Sequence, residues 1–245
     1  MAHRFDPAIL REYDIRGIVG TNLSAADALA LGRAFAATLG EKGGGRRVAV
    51  GYDGRLTSPA LEAALVEGLA AEGADVVRIG RGPTPMLYFA AATLGVDAGV
   101  MVTGSHNPRD HKGFKMVLGG KPFYAGAIQA LGRTALALGE PCGPRGRVEE
   151  HAVAADYIAR LARDFDAGKP LTVAWDPGNG ATGEIVTELT RRLPGTHYLI
   201  NAAIDGHFPA HHPDPTVPAN LLQLQDEVAR RGCDLGIAFD GDGDR

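Results

Sequence analysis

Short apolar runs alternate with longer stretches whose apolar positions recur at helical spacing, and this β-then-α rhythm runs the length of the chain. In the first part, Ser24–Leu39 reads as a helix with Ser24 as its N-cap, Arg47–Tyr52 as a strand, Ser58–Ala71 as a helix and Ala74–Ile79 as a strand. Pro85–Leu94 is predicted helical, Ala98–Val102 and Phe114–Leu118 are predicted strands, and Ala125–Leu138 a further helix. The alternation implies an α/β fold in which a mixed, mainly parallel sheet lies between helices. The Gly- and Pro-rich stretch Gly139–Gly146 is a natural boundary, and a helix over His151–Phe165 is expected to link two domains, residues 1–148 and 149–245.

The second part repeats the rhythm in shorter form. Strand Leu171–Trp175, helix Thr182–Arg192, strand His197–Ile200, helix Ala219–Arg231 and strand Leu235–Phe239 are predicted. Tyr52-Asp53-Gly54, Trp175-Asp176-Pro177-Gly178 and Phe239-Asp240-Gly241 each end an apolar strand with an aromatic, an Asp and a nearby Gly. Their irregular spacing excludes a solenoid and suggests two copies of a related α/β unit.

Composition narrows the class without naming a reaction. Thirty-four glycines, well above the usual share of ~7%, point to many tight loops. A formal charge of -4 and a pI near 6.1 offer no electrostatic reason to expect nucleic acid or an anionic membrane as partner. No stretch approaches the roughly 20 apolar residues of a membrane span, and Met1-Ala2-His3-Arg4 is not followed by an apolar segment of signal length. Cys142 and Cys233 stand far apart without metal-ligand spacing, which suits reduced thiols and a cytoplasmic location.

Two loops carry the candidate chemistry. After the apolar run Leu235–Phe239 the chain reads Asp240-Gly241-Asp242-Gly243-Asp244-Arg245, with three carboxylates at alternate positions on backbone that two glycines let curl. Oxygen ligands so placed suit a hard divalent cation, Mg2+ in particular. An EF-hand is excluded, because Arg245 stands where its invariant glycine would be and a strand leads into the loop. The second loop, Thr103-Gly104-Ser105-His106-Asn107-Pro108, presents a hydroxyl after the predicted strand Ala98–Val102 and precedes Gly113-Phe114-Lys115. Such a hydroxyl can be an attacking group or a phosphoryl carrier; the hydrolase elbow G-x-S-x-G is not matched, so acyl transfer by a serine triad is disfavoured. The loop Asn201–Pro218, with His207, His211 and His212, invites a zinc reading, but no Cys or acidic partner has zinc spacing there.

These two loops, in this order, resemble the α-D-phosphohexomutase family, specifically its phosphomannomutase/phosphoglucomutase branch. Arg11-Glu12-Tyr13-Asp14-Ile15-Arg16-Gly17, Gly51-Tyr52-Asp53-Gly54-Arg55, Asp176-Pro177-Gly178-Asn179-Gly180 and His211-His212-Pro213-Asp214-Pro215 extend the resemblance along almost the whole chain. The resemblance implies a mutase that interconverts hexose 1-phosphate and hexose 6-phosphate through a phosphoserine and a hexose 1,6-bisphosphate, the latter also its activator. It assigns the phosphoserine to Ser105, and Mg2+ to Asp240, Asp242 and Asp244 with an oxygen on Ser105. Arg16 and Lys115 are implied contacts of substrate or phosphoserine oxygens, Lys115 also a proton carrier. Arg245 would steady the transferring group, Tyr13 would sit close by, and His106 would flank the nucleophile. Phosphoryl transfer rests on positioning and charge neutralisation, which these residue types provide.

The departures concern length and one loop. Full family members resemble this chain only over their first half, so the second domain is expected to be incomplete and the polypeptide as given to show little turnover by itself. Ala210 and Ala219 stand where the family pattern commonly has Asn and Glu. Thr103-Gly104-Ser105 is closer to the mannose/glucose branch than to the glucosamine branch. Two other classes stay open: an aspartyl-phosphate phosphatase or phosphotransferase using Asp240, and a non-catalytic sugar-phosphate or Mg2+ binding module.

Overall fold

The computed structural model describes residues 2–41, 45–163, 165 and 168–245. Among these residues, strands β1 (Ile15–Ile18), β2 (Arg47–Tyr52), β3 (Asp75–Arg81), β4 (Ala98–Thr103), β5 (His111–Leu118), β6 (Lys121–Pro122) and β7 (Val148–Glu150) form one sheet. Its order is β1-β5-β4-β2-β3-β7, with β6 paired to β5. The four strands β4, β2, β3 and β7 run parallel, and the β5 end of the sheet is antiparallel. Strand β7 pairs with β3, so the first sheet takes in the residues at the expected 148/149 boundary.

Side chains alternate across this sheet. Val48, Val50, Val76, Val100 and Val102 face one buried cluster with Leu31, Phe35, Leu65 and Leu131 from α1 (Ala25–Glu41), α2 (Ser58–Ala71) and α4 (Gly126–Ala137). Ala49, Val77 and Met101 face the other, with Met86 and Leu87 from α3 (Thr84–Thr93) and Ile158 from α5 (Ala154–Arg163). Helices α1 and α2 approach so closely at Gly32 and Gly68 that a methyl at either position would overlap a backbone carbonyl of the opposite helix, at Leu65 or Leu29. Ser24 caps α1 as predicted: its Oγ accepts from the N–H of Asp27, whose carboxylate accepts the N–H of Ser24 in return.

The second sheet is smaller and wholly parallel, ordered β10-β8-β9 from β8 (Leu171–Asp176), β9 (Gly195–Leu199) and β10 (Leu235–Ala238). It carries α6 (Gly183–Thr190) and α7 (Leu222–Arg231). Ile185 of α6 joins the cluster beneath α3 and α5, which makes the two units share apolar core. Among the described residues no helix is long and apolar enough to cross a membrane.

Most predicted elements appear within a residue or two of their expected ends. Strand β5 begins three residues before Phe114, because it pairs through His111 with Ile18 of β1, a strand too short and too broken by Gly17 to show in the pattern. The helix predicted over His151–Phe165 spans only Ala154–Arg163, since His151 follows β7 and donates its N–H to Arg78 O; Asp164 lies outside the described residues. The helix predicted from Ala219 begins as a 3-10 turn, Pro218–Leu221, before α7.

Candidate active site

The serine loop grows from the most buried strand of the molecule. All six residues of β4 are buried, so the chain leaves the sheet at Thr103 with its direction fixed. Ser105 then adopts φ 48°, the left-handed region that serine rarely enters. Such a conformation costs on the order of 1–3 kcal/mol and persists only where the surroundings over-determine it. Here they do. Thr103 Oγ1 accepts the Ser105 N–H at 2.9 Å and Asp53 Oδ2 accepts the Gly104 N–H at 2.8 Å. The Arg55 guanidinium donates to the carbonyls of Ser105 at 2.7 Å, Asn107 at 2.6 Å, Pro108 at 2.6 Å and His111 at 3.3 Å. A methyl at Gly104 would overlap that guanidinium and the His111 carbonyl, so no larger residue fits there.

Beneath this loop lies a buried charge network. Asp53 also accepts from Lys112 Nζ and Ser58 Oγ, at 2.8 and 2.5 Å, and Arg55, Asp53 and Lys112 are each at most 2% exposed. Burial pushes the Lys112 ammonium down to about 8 against the pull of Asp53. Burial alone would raise the Asp53 carboxyl, but Lys112 and Arg55 outweigh it and hold the group below its ordinary value.

The carboxylate loop enters from the second unit, at the carboxyl end of β10. Asp240 Oδ1 accepts the N–H groups of Asp244 and Arg245 at 3.1 and 3.2 Å, while Oδ2 accepts Ser105 Oγ at 2.7 Å. Asp242 Oδ2 accepts from Thr84 Oγ1 at 2.5 Å, Thr103 Oγ1 at 2.8 Å and Lys115 Nζ at 2.8 Å; Lys115 also bonds Asp244. Burial first, and then Asp242, raise the Asp240 carboxyl to about 6. Burial opposes the Lys115 charge, but Asp242 and Asp244 outweigh it and hold the ammonium above its ordinary value.

Ligand oxygens of Asp240, Asp242 and Asp244 lie within 4.8 Å of one another, the one such group of three or more ligand side chains among the described residues. Asp242 Oδ1 is buried without a hydrogen-bond partner. An unpartnered carboxylate oxygen in a cluster of three acids fits a hard cation that takes oxygen ligands. Two of the histidines of the 201–218 loop are engaged elsewhere. His211 Nε2 pairs with buried Asp176 at 2.8 Å, and His212 Nε2 donates to the His106 carbonyl at 2.6 Å, bracing the serine loop from the second unit.

A cleft of 570 Å³ opens beside this centre, lined by Tyr13, Arg16, Ser105, Lys115, Asp244 and Arg245, with Tyr88, Met116 and Phe123 on its apolar side. Six of the sequence-predicted residues therefore share one cavity, and Asp240 and Asp242 lie fully buried behind it. His106 is apart from the lining: its Nδ1 is 3.2 Å from Ser105 Oγ and its Nε2 is 3.4 Å from Arg245. Burial and Arg245 lower the His106 pKa and so favour the neutral ring. Arg16 faces the cleft, with its guanidinium held by Asp14 at 2.5 Å, and Tyr13 is 75% exposed at the rim. Sequence reasoning missed Arg55, Thr84, Thr103 and Lys112 as supports. The Asp echo at 53, 176 and 240 was a signal, since each of these aspartates proves to be a buried acceptor at a strand's carboxyl end.

A paired α/β scaffold thus brings a serine turn and an aspartate loop together at its strand ends. Family models described as phosphoglucomutase/phosphomannomutase, alpha/beta/alpha domain I and domain II match residues 7–135 and 155–245, and the chain belongs to this family. It is 43% identical over 250 residues to the phosphomannomutase/phosphoglucomutase of Pseudomonas putida, an alignment that covers the whole chain and 53% of that relative. It is 41% identical to the phosphoglucomutase of Neisseria gonorrhoeae, over 97% of this chain and 52% of that one. The crystal structure of a phosphoglucomutase/phosphomannomutase family protein from Burkholderia thailandensis superposes with a TM-score of 0.92 at 42% identity, covering 98% of this chain and 54% of the other. The chain spans about half the length of the curated relatives it matches.

Proposed function

We propose that this chain carries the phosphoserine and metal half of a phosphohexomutase that interconverts hexose 1-phosphate and hexose 6-phosphate in the cytoplasm. The observation that carries the reading is the Ser105 hydroxyl, which lines the cleft on a left-handed turn and is bonded at 2.7 Å to Asp240 within the carboxylate cluster. Ser105 is the phosphoryl carrier. When a hexose 1,6-bisphosphate transfers to it, the Oγ–P bond forms, the P–O bond to the sugar breaks, and the Oγ proton passes to the sugar oxygen set free. Lys115, whose ammonium lies on the cleft wall, carries that proton by giving one to the sugar oxygen and taking the one from Oγ. Arg16 and Arg245 bring cationic charge to the phosphate, Tyr13 closes the rim, and His106 orients the hydroxyl. Asp240, Asp242 and Asp244 would hold Mg2+ together with an oxygen on Ser105, and the cation would neutralise the transferring phosphoryl oxygens.

Incubation of the purified polypeptide with Mg2+ and glucose 1,6-bisphosphate, followed by intact mass and phosphopeptide mapping, tests this reading. One acid-stable phosphoryl group on Ser105, absent from Ser105→Ala, is expected. Hydroxylamine-labile phosphate on Asp240 would instead make the chain an aspartyl-phosphate enzyme. No phosphate on a folded protein would leave a sugar-phosphate binding module.

A further inference from the structure

Asp242 is gripped by residues that do not belong to its own loop. Three donors converge on Oδ2, the hydroxyls of Thr84 and Thr103 and the ammonium of Lys115, while Oδ1 is buried and has no hydrogen-bond partner. Leaving one oxygen of a buried carboxylate without a donor is costly unless a cation meets it, so this asymmetry marks Oδ1 as the oxygen turned to a metal. Thr103 and Lys115 divide their bonds, Thr103 accepting from the Ser105 N–H and Lys115 also bonding Asp244. Thr84 does not. Its hydroxyl reaches Asp242 Oδ2 at 2.5 Å and its N–H donates to the Asp242 carbonyl at 2.8 Å, so side chain and main chain hold the same residue.

The position of Thr84 in the fold makes this unusual. It opens α3 in the first unit, directly after the N-cap Pro83, which has no side-chain acceptor. No side-chain cap bond is made at this helix start. The hydroxyl goes to a residue 158 positions further along the chain. Thr84 is fully buried.

We propose that Thr84 is a positioning residue for the divalent cation, fixing the Asp242 carboxylate by Oδ2 so that Oδ1 is presented to the metal, and that it thereby ties metal affinity to the docking of α3 against the aspartate loop. This rests on the reading of Asp240, Asp242 and Asp244 as a cation site. Groups that orient a ligand through a hydrogen bond in this way are typically worth 10–100-fold in metal affinity.

The test is a Mn2+ titration of the 245-residue chain, with free Mn2+ followed by electron paramagnetic resonance, on the parent, Thr84→Val, Thr84→Ser and Thr187→Val. Thr187 serves as control because its hydroxyl donates to Gly183 O one turn back in its own helix. Thr84→Val should bind Mn2+ about 10–100-fold more weakly, Thr84→Ser should recover most of the loss, and Thr187→Val should match the parent. Should Thr84→Val fail to fold in EDTA, as read by circular dichroism, Thr84→Ala takes its place with the same expectation. Parent-like Mn2+ binding by the hydroxyl-free variant overturns the proposal, as does equal weakening in Thr84→Ser, which would mean a packing role. A parent that binds no Mn2+ overturns the cation-site reading together with this one.

Discussion

Replacing Arg55 by Met tests whether the serine turn is held by one buried guanidinium. Methionine keeps most of the aliphatic stem and removes every donor. Of the four carbonyls that Arg55 serves, the one at Ser105 lies in a fully buried bond; those at Asn107, Pro108 and His111 are partly buried and can be satisfied by water. Losing the buried bond orphans a carbonyl, at about 1–3 kcal/mol. The substitution also strips buried Asp53 of a cation 3.4 Å away, leaving it Lys112 at 2.8 Å. Because that second partner remains, the total should stay within the roughly 3–5 kcal/mol found when one member of a buried ion pair is removed. Amide exchange over residues 104–113 should then accelerate by about 100-fold or more, since each 1.4 kcal/mol is a factor of ten. Hydrogen exchange with mass-spectrometric readout measures the loop, and urea unfolding followed by circular dichroism measures the domain. Arg81→Met, which removes a surface contact to Glu184, serves as the control. Exchange and unfolding of Arg55→Met indistinguishable from that control would refute the reasoning.

Two further outcomes follow from the packing and from one histidine. The Asp176 bond, working against burial, raises the His211 pKa above the ordinary 6.5, so the pair's stabilisation is complete below pH 6.5 and is lost as pH climbs through the raised value. The melting-temperature gap between parent and His211→Gln, read by fluorescence of Trp175 beside that pair, should therefore shrink from about pH 6.5 upward; a gap that widens would contradict it. In Gly68→Ala, overlap with the Leu29 carbonyl should cost about 1–3 kcal/mol, more than the ~1 kcal/mol gained in helix propensity. Gly132→Ala meets only the tip of Leu10, which can rotate away, and should be neutral or stabilising in urea; equal effects at the two glycines would exclude the close-approach argument.

What the sequence reveals is whatever repeats locally. Strands β2, β4 and β8 and helices α1 and α2 are plain in it, because period and caps are properties of neighbouring residues. The carboxylate and serine loops are legible for a related reason: alternate acids on glycines, and a hydroxyl in a turn, name their chemistry within six residues. Their supports do not. Arg55 acts on carbonyls some fifty positions away and Thr84 on an aspartate 158 positions away, and nothing in Gly54-Arg55-Leu56 or Pro83-Thr84-Pro85 separates them from ordinary turn and helix-start residues. Nothing beside Lys112 in the sequence sets it apart from a surface lysine, yet it is wholly buried, because Asp53 supplies a partner from a different strand end. Strand β1 shows only through its pairing with β5.

The left-handed backbone at Ser105 limits which amino acid can serve there. Threonine carries the same hydroxyl, but a β-branched side chain at φ 48° is a steric outlier. Glycine and asparagine tolerate that backbone and lack the hydroxyl. Between the two aliphatic hydroxyl side chains the turn therefore selects serine over threonine by shape, before any reactivity is considered.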